Sequence, residues 1–192
     1  MQKKKRHLRR SRKVKLDGRT FIENRPKIAN RRGRIGDVEA DFIVSGKSGT
    51  GILLVVICRK SRKAFLEIIY DVSIDEVHSA LERIQKRFPE MRTLTLDNDI
   101  LFRMHKALEK LLGIKIYFCH PYHSWEKGSI ENLNRFIRKF IPKGSDISRF
   151  RRKDITEVEH RCNDRFLKCL KYATPDEILE EYRKKKENKK TA

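Results

Sequence analysis

Residues 51–58, GILLVVIC, are apolar at every position in a 192-residue chain of which 38% is charged. The run is strand length and falls well short of the roughly 18 apolar residues that cross a bilayer. A strand without a polar face needs cover on both sides. The segment therefore predicts a central strand in a sheet that carries a layer on each face, and the flanking segments supply those layers.

Upstream, GDVEADFIV (36–44) sets Val38, Ala40 and Phe42 in alternation with polar residues, the period of a strand, and SGKSG (45–49) supplies a turn. Downstream, KAFLEIIY (63–70) follows the short RKSR turn as a third strand. The period then lengthens. Ile74, Val77, Leu81, Ile84 and Phe88 predict an amphipathic helix that Pro89 ends. TLTLD (93–97) is a short strand, 101–112 a helix closed by Gly113, and IKIYF (114–118) another strand. Helix 129–141 is expected to bury Ile130, Leu133, Ile137 and Phe140. Helix 154–171 is expected to bury Ile155, Val158, Cys162, Phe166 and Cys169. A last helix begins at Thr174-Pro175, with Thr as N-cap and Pro in the first turn. The order β-β-β-α-β-α-β-α-α defines an α/β fold with a mixed sheet, antiparallel at its start and parallel at its end, flanked by helices.

Charge divides the chain further. Lys and Arg outnumber Asp and Glu by 47 to 26, a net charge of +21. Residues 1–35 hold +13 of this and residues 183–192 hold +5. The expected organisation is a flexible basic arm over 1–34, one globular core over 35–182 and a basic tail over 183–192. Two basic ends on a nearly balanced domain call for a polyanion, nucleic acid first and an anionic membrane surface second; solubilising tails are the competing reading. No apolar segment follows the basic N-terminus, so a secretory signal is not expected. Cys58, Cys119, Cys162 and Cys169 form no C-x-x-C pair, which speaks against a zinc ribbon, and free thiols suit a reducing compartment.

Three carboxylates stand out by position. Asp41 lies within the first strand, Asp97 ends the fourth, and Glu131 opens a helix after a gap of 33 residues. Sites in α/β folds collect where strands end and helices begin. Acids gathered there repel one another unless a divalent cation sits among them. Each also has a purely structural reading: Asp41 as a strand-end cap, the DND of 97–99 as turn chemistry, and Glu131 as an acid favoured by the helix dipole. Arg135 and Arg138 share a polar helix face with Glu131. That arrangement suits a metal beside a phosphate backbone, and equally a surface ion pair.

Five segments then carry a resemblance: IGDVEADFI (35–43), VVICRKSRK (55–63), TLTLDND (93–99), YFCHPYHSWEKGSIENLNRFIRKFIPKG (117–144) and NDRFLKCLKYATPDE (163–177). Together, over about residues 33–180, they resemble the catalytic core of the DDE transposases of the insertion-sequence-thirty family, relatives of the retroviral integrases. The chain departs from the family pattern in four places. Asp37-Val38 stands for the usual His-Trp, Asp99 for Gly, Leu101 for a common Glu, and Phe166 for Pro. The basic arm stands where the family carries a helix-turn-helix region that recognises transposon ends.

The resemblance implies an RNase H-like fold with Asp41, Asp97 and Glu131 as catalytic residues, ligating two Mg²⁺ (or Mn²⁺) ions. The implied function is a DNA transposase or integrase core: phosphodiester hydrolysis at transposon ends, then transfer of the freed 3′-OH into target DNA. The implied partner is DNA, with at least a dimer assembled on it, and the expected setting is the cytoplasm at the nucleoid. Arg135, Arg138, Lys127 and Lys139 are the candidate phosphate contacts. His123 and Trp125, with His120 and Tyr122, either stack on a base or form a loop anchored by Pro121. Asn132 and Asn134 either orient Glu131 or contact DNA, with helix capping a further reading for Asn132. The rivals are a catalytically impaired or repurposed DNA-binding remnant of a transposase, which Asp99 favours and the intact triad opposes, and an RNase H-type hydrolase that cuts without joining. No P-loop motif occurs.

Overall fold

The strand β2 (Ile52–Cys58) is buried at all 7 positions. It lies between β1 (Asp37–Val44) and β3 (Ala64–Ile69), both antiparallel to it, while β4 (Thr93–Leu96) and β5 (Lys115–Phe118) continue the sheet in parallel beyond β1. The order is β3-β2-β1-β4-β5. The middle position thus belongs to β1, with β2 interior beside it. The computed structural model describes residues 18–189 apart from Ser48 and Tyr122; the first 17 residues of the basic arm and the side chains of Ser124 and Trp125 also lie outside the described residues.

Alternation along β2 sends its side chains into two separate cores. Leu54, Val56 and Cys58 join Val38, Ala40, Leu94, Leu96, Ile116 and Phe118 on one face. That face is covered by α2 (Ile74–Arg87) and α3 (His105–Leu112), through Val77, Leu81, Ile84 and Leu108, and by Leu179 of α6 (Pro175–Asn188). Leu53, Val55 and Ile57 join Leu66 and Ile68 on the other face, under α4 (Gly128–Ile137) and α5 (Arg152–Asn163). Ile130, Leu133 and Ile137 of α4 are fully buried there. At roughly 1.5–3 kcal/mol per buried aliphatic side chain, these three hold the helix firmly on the sheet.

Two local devices fix the parallel half. Gly36 adopts φ 106, a conformation that favours glycine, and a Cβ there would collide with the carbonyl oxygen of Glu90. Its own carbonyl accepts from Arg92 N at 2.7 Å, locking β1 to the entry of β4. At the other end of the chain, Thr174 and Glu177 form a reciprocal capping box with Pro175 at the helix start, as the sequence predicts for α6.

The helix expected over 154–171 is shorter than its periodicity suggests. It ends at Asn163, whose amide binds both the N–H and the C=O of Ala64 at the start of β3 (2.7 and 2.9 Å). Lys171 and Tyr172 then turn through positive φ values. Phe166 is consequently 71% exposed and Cys169 lies at the surface, against the expectation that both are core. The helix expected over 101–112 is split into a 3₁₀ turn at Ile100–Phe102 and α3.

Described residues of the N-terminal basic segment pack on the domain. Phe21 bridges to Phe118 beside β5, and Ala29 of α1 (Lys27–Asn30) is fully buried. Arg25, 6% exposed, donates to Thr95 Oγ1 at 2.9 Å. The basic stretch beginning at residue 183 starts as the end of α6, where Arg183 grips Glu90 through two bonds of 2.8 and 3.0 Å.

Candidate active site

Residues 37, 39 and 41 of β1 share one face of the sheet, and all three are acidic. Asp37 takes a two-pronged contact from Arg34 (2.9 Å each) and the Thr93 hydroxyl at 2.8 Å. Glu39 is fully buried and paired with Arg59 from the RKSR turn. Asp41, the last of the row, is part-exposed. The parallel register pairs Asp37 with Thr93 and Glu39 with Thr95. Two residues further along each chain come Asp41 and Asp97, so the period-2 geometry brings them to the same sheet face where the parallel strands end.

The helix α4 lies over this face, and Glu131, exposed in its first turn, borders the same open cleft of about 340 Å³ as Asp41 and Asp97. The three sequence-predicted acids therefore converge from three separate elements. Lys127, just before α4, is 8% exposed and directed into the cleft, where its Nζ lies 3.1 Å from Asp41 Oδ1 and 3.4 Å from Asp97 Oδ2. Burial works against this ammonium charge, but Asp97 and Asp41 outweigh it and hold the Lys127 pKa above the ordinary lysine value.

Asn134 donates to Asp41 Oδ2 at 2.9 Å, so it orients Asp41 and not Glu131. Asp99 caps the following 3₁₀ turn through Leu101 N (2.9 Å) and donates its own N–H to Asp97 Oδ1 (3.2 Å). Burial, with the charges of Asp97 and Asp41, raises the Asp99 pKa. The acid at position 99 thus serves as a local cap and adds to the negative charge around the cleft.

The loop ahead of α4 is fastened by Glu126. Its carboxylate accepts from His120 N at 2.8 Å and faces His120 Nδ1 (3.0 Å) and His123 Nδ1 (3.3 Å). Burial opposes the Glu126 charge, yet these bonds keep its pKa below the usual carboxylate value. The His120 ring stacks on Phe21, centroids 5.0 Å apart, which favours the packed-loop reading for that residue. His123 borders the cleft. Trp125 and Tyr122 cannot be placed, since their side chains lie outside the described residues. Among the described residues, the compact group of metal-type ligand atoms is His120, His123 and Glu126, not the triad.

The remaining candidates lie along α4 and beyond. Asn132, Arg135 and Lys139 are exposed, with the Lys139 ammonium 5.5 Å from the Phe136 ring centre, and Arg138 donates to Pro142 O at 3.2 Å. Asn132 makes no cap; it lines a second pocket. Sequence reasoning missed the buried pairs of Asp37 and Glu39 and the buried Arg25. The alternation D-x-E-x-D along a strand whose other face is apolar was the available signal.

Solved structures share this architecture. The catalytic core domain of BIV integrase aligns over 78% of this chain and 97% of that one with a TM-score of 0.60 at 20% identity. A chain of the simian T-cell lymphotropic virus intasome with the PP2A regulatory subunit B56 gamma aligns over 66% of this chain and 48% of that one, TM-score 0.56, 15% identity. The fold is accordingly the RNase H-like core of the retroviral integrases. By sequence, the chain is 37% identical over 163 residues to the transposase for insertion sequence element IS4351 of Bacteroides fragilis, covering 84% of this chain and 50% of that protein. It is 32% identical over 167 residues to the transposase InsI for IS30A of Escherichia coli K12, covering 86% and 43% respectively. Over this shared portion the chain is similar to these insertion-sequence transposases. It spans about half the length of these curated relatives. No family model matches it. No helix among the described residues is long and apolar enough to cross a membrane.

Proposed function

We propose that this chain is the catalytic core of a DNA transposase. It would act on phosphodiesters at transposon ends and join the freed 3′-OH to target DNA, in the cytoplasm at the nucleoid. The observation that carries the reading is the convergence of Asp41, Asp97 and Glu131 on one cleft where parallel strands end, within a chain related to insertion-sequence transposases over most of its length.

The donor set fits a hard divalent ion. It consists of carboxylate oxygens from three elements, and the place between Asp41 and Asp97 already holds a cationic group, the Lys127 ammonium. Asp41, Asp97 and Glu131 are the residues that would hold Mg²⁺ or Mn²⁺. Bound there, a pair of such ions would supply charge neutralisation at the phosphodiester under in-line attack.

The protein's own groups do the rest. Asn134 fixes the rotation of Asp41 through its 2.9 Å bond. The buried pairs Asp37–Arg34 and Glu39–Arg59 stiffen β1 beneath it. Arg135, Arg138 and Lys139 present positive charge along α4 beyond Glu131, suited to a DNA backbone approaching the cleft. Joining two ends calls for at least two copies on the DNA.

The test is a strand-transfer assay with a labelled duplex ending in a 3′-OH, a supercoiled plasmid and Mn²⁺ or Mg²⁺. Labelled plasmid is the expected product. Nicks without joining would assign a hydrolase. Binding without either product under any metal would assign a DNA-binding remnant.

A further inference from the structure

A second pocket, of about 440 Å³, opens beside the first turn of α4. Its lining includes Arg32, Arg62, Ser129, Asn132, Arg165 and Cys169. It shares no lining residue with the acidic cleft. The two sites are opposite in chemistry: carboxylates around Lys127 in one, three guanidinium groups in the other.

Arg32 is exposed and Arg62 and Arg165 are partly buried, and their contacts set all three around this pocket. Arg32 Nη2 and Arg62 Nη1 both donate to the single hydroxyl of Ser129, the first at 3.1 Å. Both residues sit at positive φ (55 and 61), as the turn residues Lys171 and Tyr172 do. Arg165 lies over the Phe136 ring with its guanidinium carbon 4.1 Å from the centre, and its Nε is buried without a hydrogen-bond partner. Among the described residues, none of the three arginines has a carboxylate partner. Glu39, whose charge reaches Arg32, is taken by Arg59. Burial first, then the repulsion of Arg62 and Arg59, lowers the Arg32 pKa, and burial lowers that of Arg165.

Like charges gathered around one pocket with no carboxylate among them call for an anion. Three planar forks around one concavity match a tetrahedral oxyanion better than an exposed lysine patch does. We propose that this pocket seats a backbone phosphate of bound DNA, a contact separate from the acidic cleft and separated from it by the first turn of α4. The inference rests on the reading of the chain as a DNA-acting core. Phosphate held here would fix the strand against the helix that carries Glu131.

Cys169 makes the proposal testable on the unmodified chain. It is the exposed thiol among the four, and it lines this pocket. Cys58, Cys119 and Cys162 are buried, and burial pushes the pKa of Cys119 and of Cys162 up to about 12. Alkylation followed by peptide mass analysis therefore reads Cys169 selectively. Saturating duplex DNA is expected to slow Cys169 labelling several-fold, and inorganic phosphate at equal phosphate concentration to slow it far less. In parallel, Arg165→Gln is expected to weaken duplex binding and to make the slope of log K against log salt shallower by about 1, as one lost phosphate contact requires. Arg62→Lys, which keeps the charge and loses the fork, should weaken binding without that change in slope. If DNA binds but leaves the labelling rate unchanged, the phosphate subsite is wrong while the DNA reading stands; if inorganic phosphate protects as well as DNA, the pocket takes a free anion and its assignment to the DNA backbone is overturned. If no duplex binds the intact chain at all, the DNA reading fails and this inference with it.

Discussion

The ammonium of Lys127 lies 3.1 Å from the carboxylate of Asp41, inside the cleft that Asp97 and Glu131 border. A protein cation thus neutralises the acids where a divalent ion would be held. The two cannot occupy one place, so a metal bound there would require Lys127 to move.

Lys127→Met therefore has a two-sided expected outcome. In EDTA the variant loses about 1–2 kcal/mol, because two facing carboxylates are left without a cation; this lies below the roughly 3–5 kcal/mol for breaking a fully buried pair, since Asp97 is partly exposed. With Mn²⁺ the variant recovers more stability than the wild type does. Thermal melts with and without the ion check both, and an equal metal-induced shift in the two proteins would remove the idea of competition.

Asp99 is expected to act mainly as a cap. Asp99→Ala removes the bond to Leu101 N and should cost about 1 kcal/mol of stability, whereas Asp99→Asn keeps an acceptor there and should cost a few tenths. Because Asp99 adds negative charge beside Asp97 and Asp41, Asp99→Asn should also weaken Mn²⁺ binding modestly. Denaturant melts and calorimetric titration separate the two effects.

The Glu90–Arg183 pair ties α6 to the turn before β4. Burial opposes the Glu90 charge, but the bonds from Arg183 hold its pKa below the ordinary carboxylate value. A depressed folded-state pKa contributes stability above the unfolded value and loses it as pH falls through the folded one. Glu90→Gln should therefore lower Tm at neutral pH and make no difference in strong acid. Arg183 is half exposed, so the expected effect is about 1 kcal/mol or less, a shift of roughly 2–4 °C. A Tm difference that persists at low pH would assign the effect to packing.

Much of this was legible in the residues. The uninterrupted apolar run 51–58 predicted a strand covered on both faces, and β2 feeds two cores. Position alone left a structural reading open for Asp41, within β1, and for Asp97 and Glu131 at element ends; the resemblance implied their grouping, and strand period with parallel register brings the first two to one face. What periodicity could not show was decided by polar contacts between distant segments. Cys162, Phe166 and Cys169 keep a helical spacing, but Asn163 binds the backbone of Ala64 and ends the helix before Phe166 is reached. Lys127 read as a DNA contact because a lysine near a helix start gives no sign of turning inward. Arg32 and Arg62 read as part of a basic arm and a turn, and only folding sets them on one serine.

The central claim is that Asp41, Asp97 and Glu131 form one metal-dependent site for phosphodiester chemistry. Nicking of supercoiled DNA tests it most directly, measured with Mg²⁺, Mn²⁺ or EDTA for the wild type and for Glu131→Gln, at equal DNA binding. The account predicts nicking that requires the metal and falls at least about 10²-fold in the variant, in line with the loss of a group that stabilises the transition state. Nicking that survives EDTA, or that is equal in the two proteins, would contradict it.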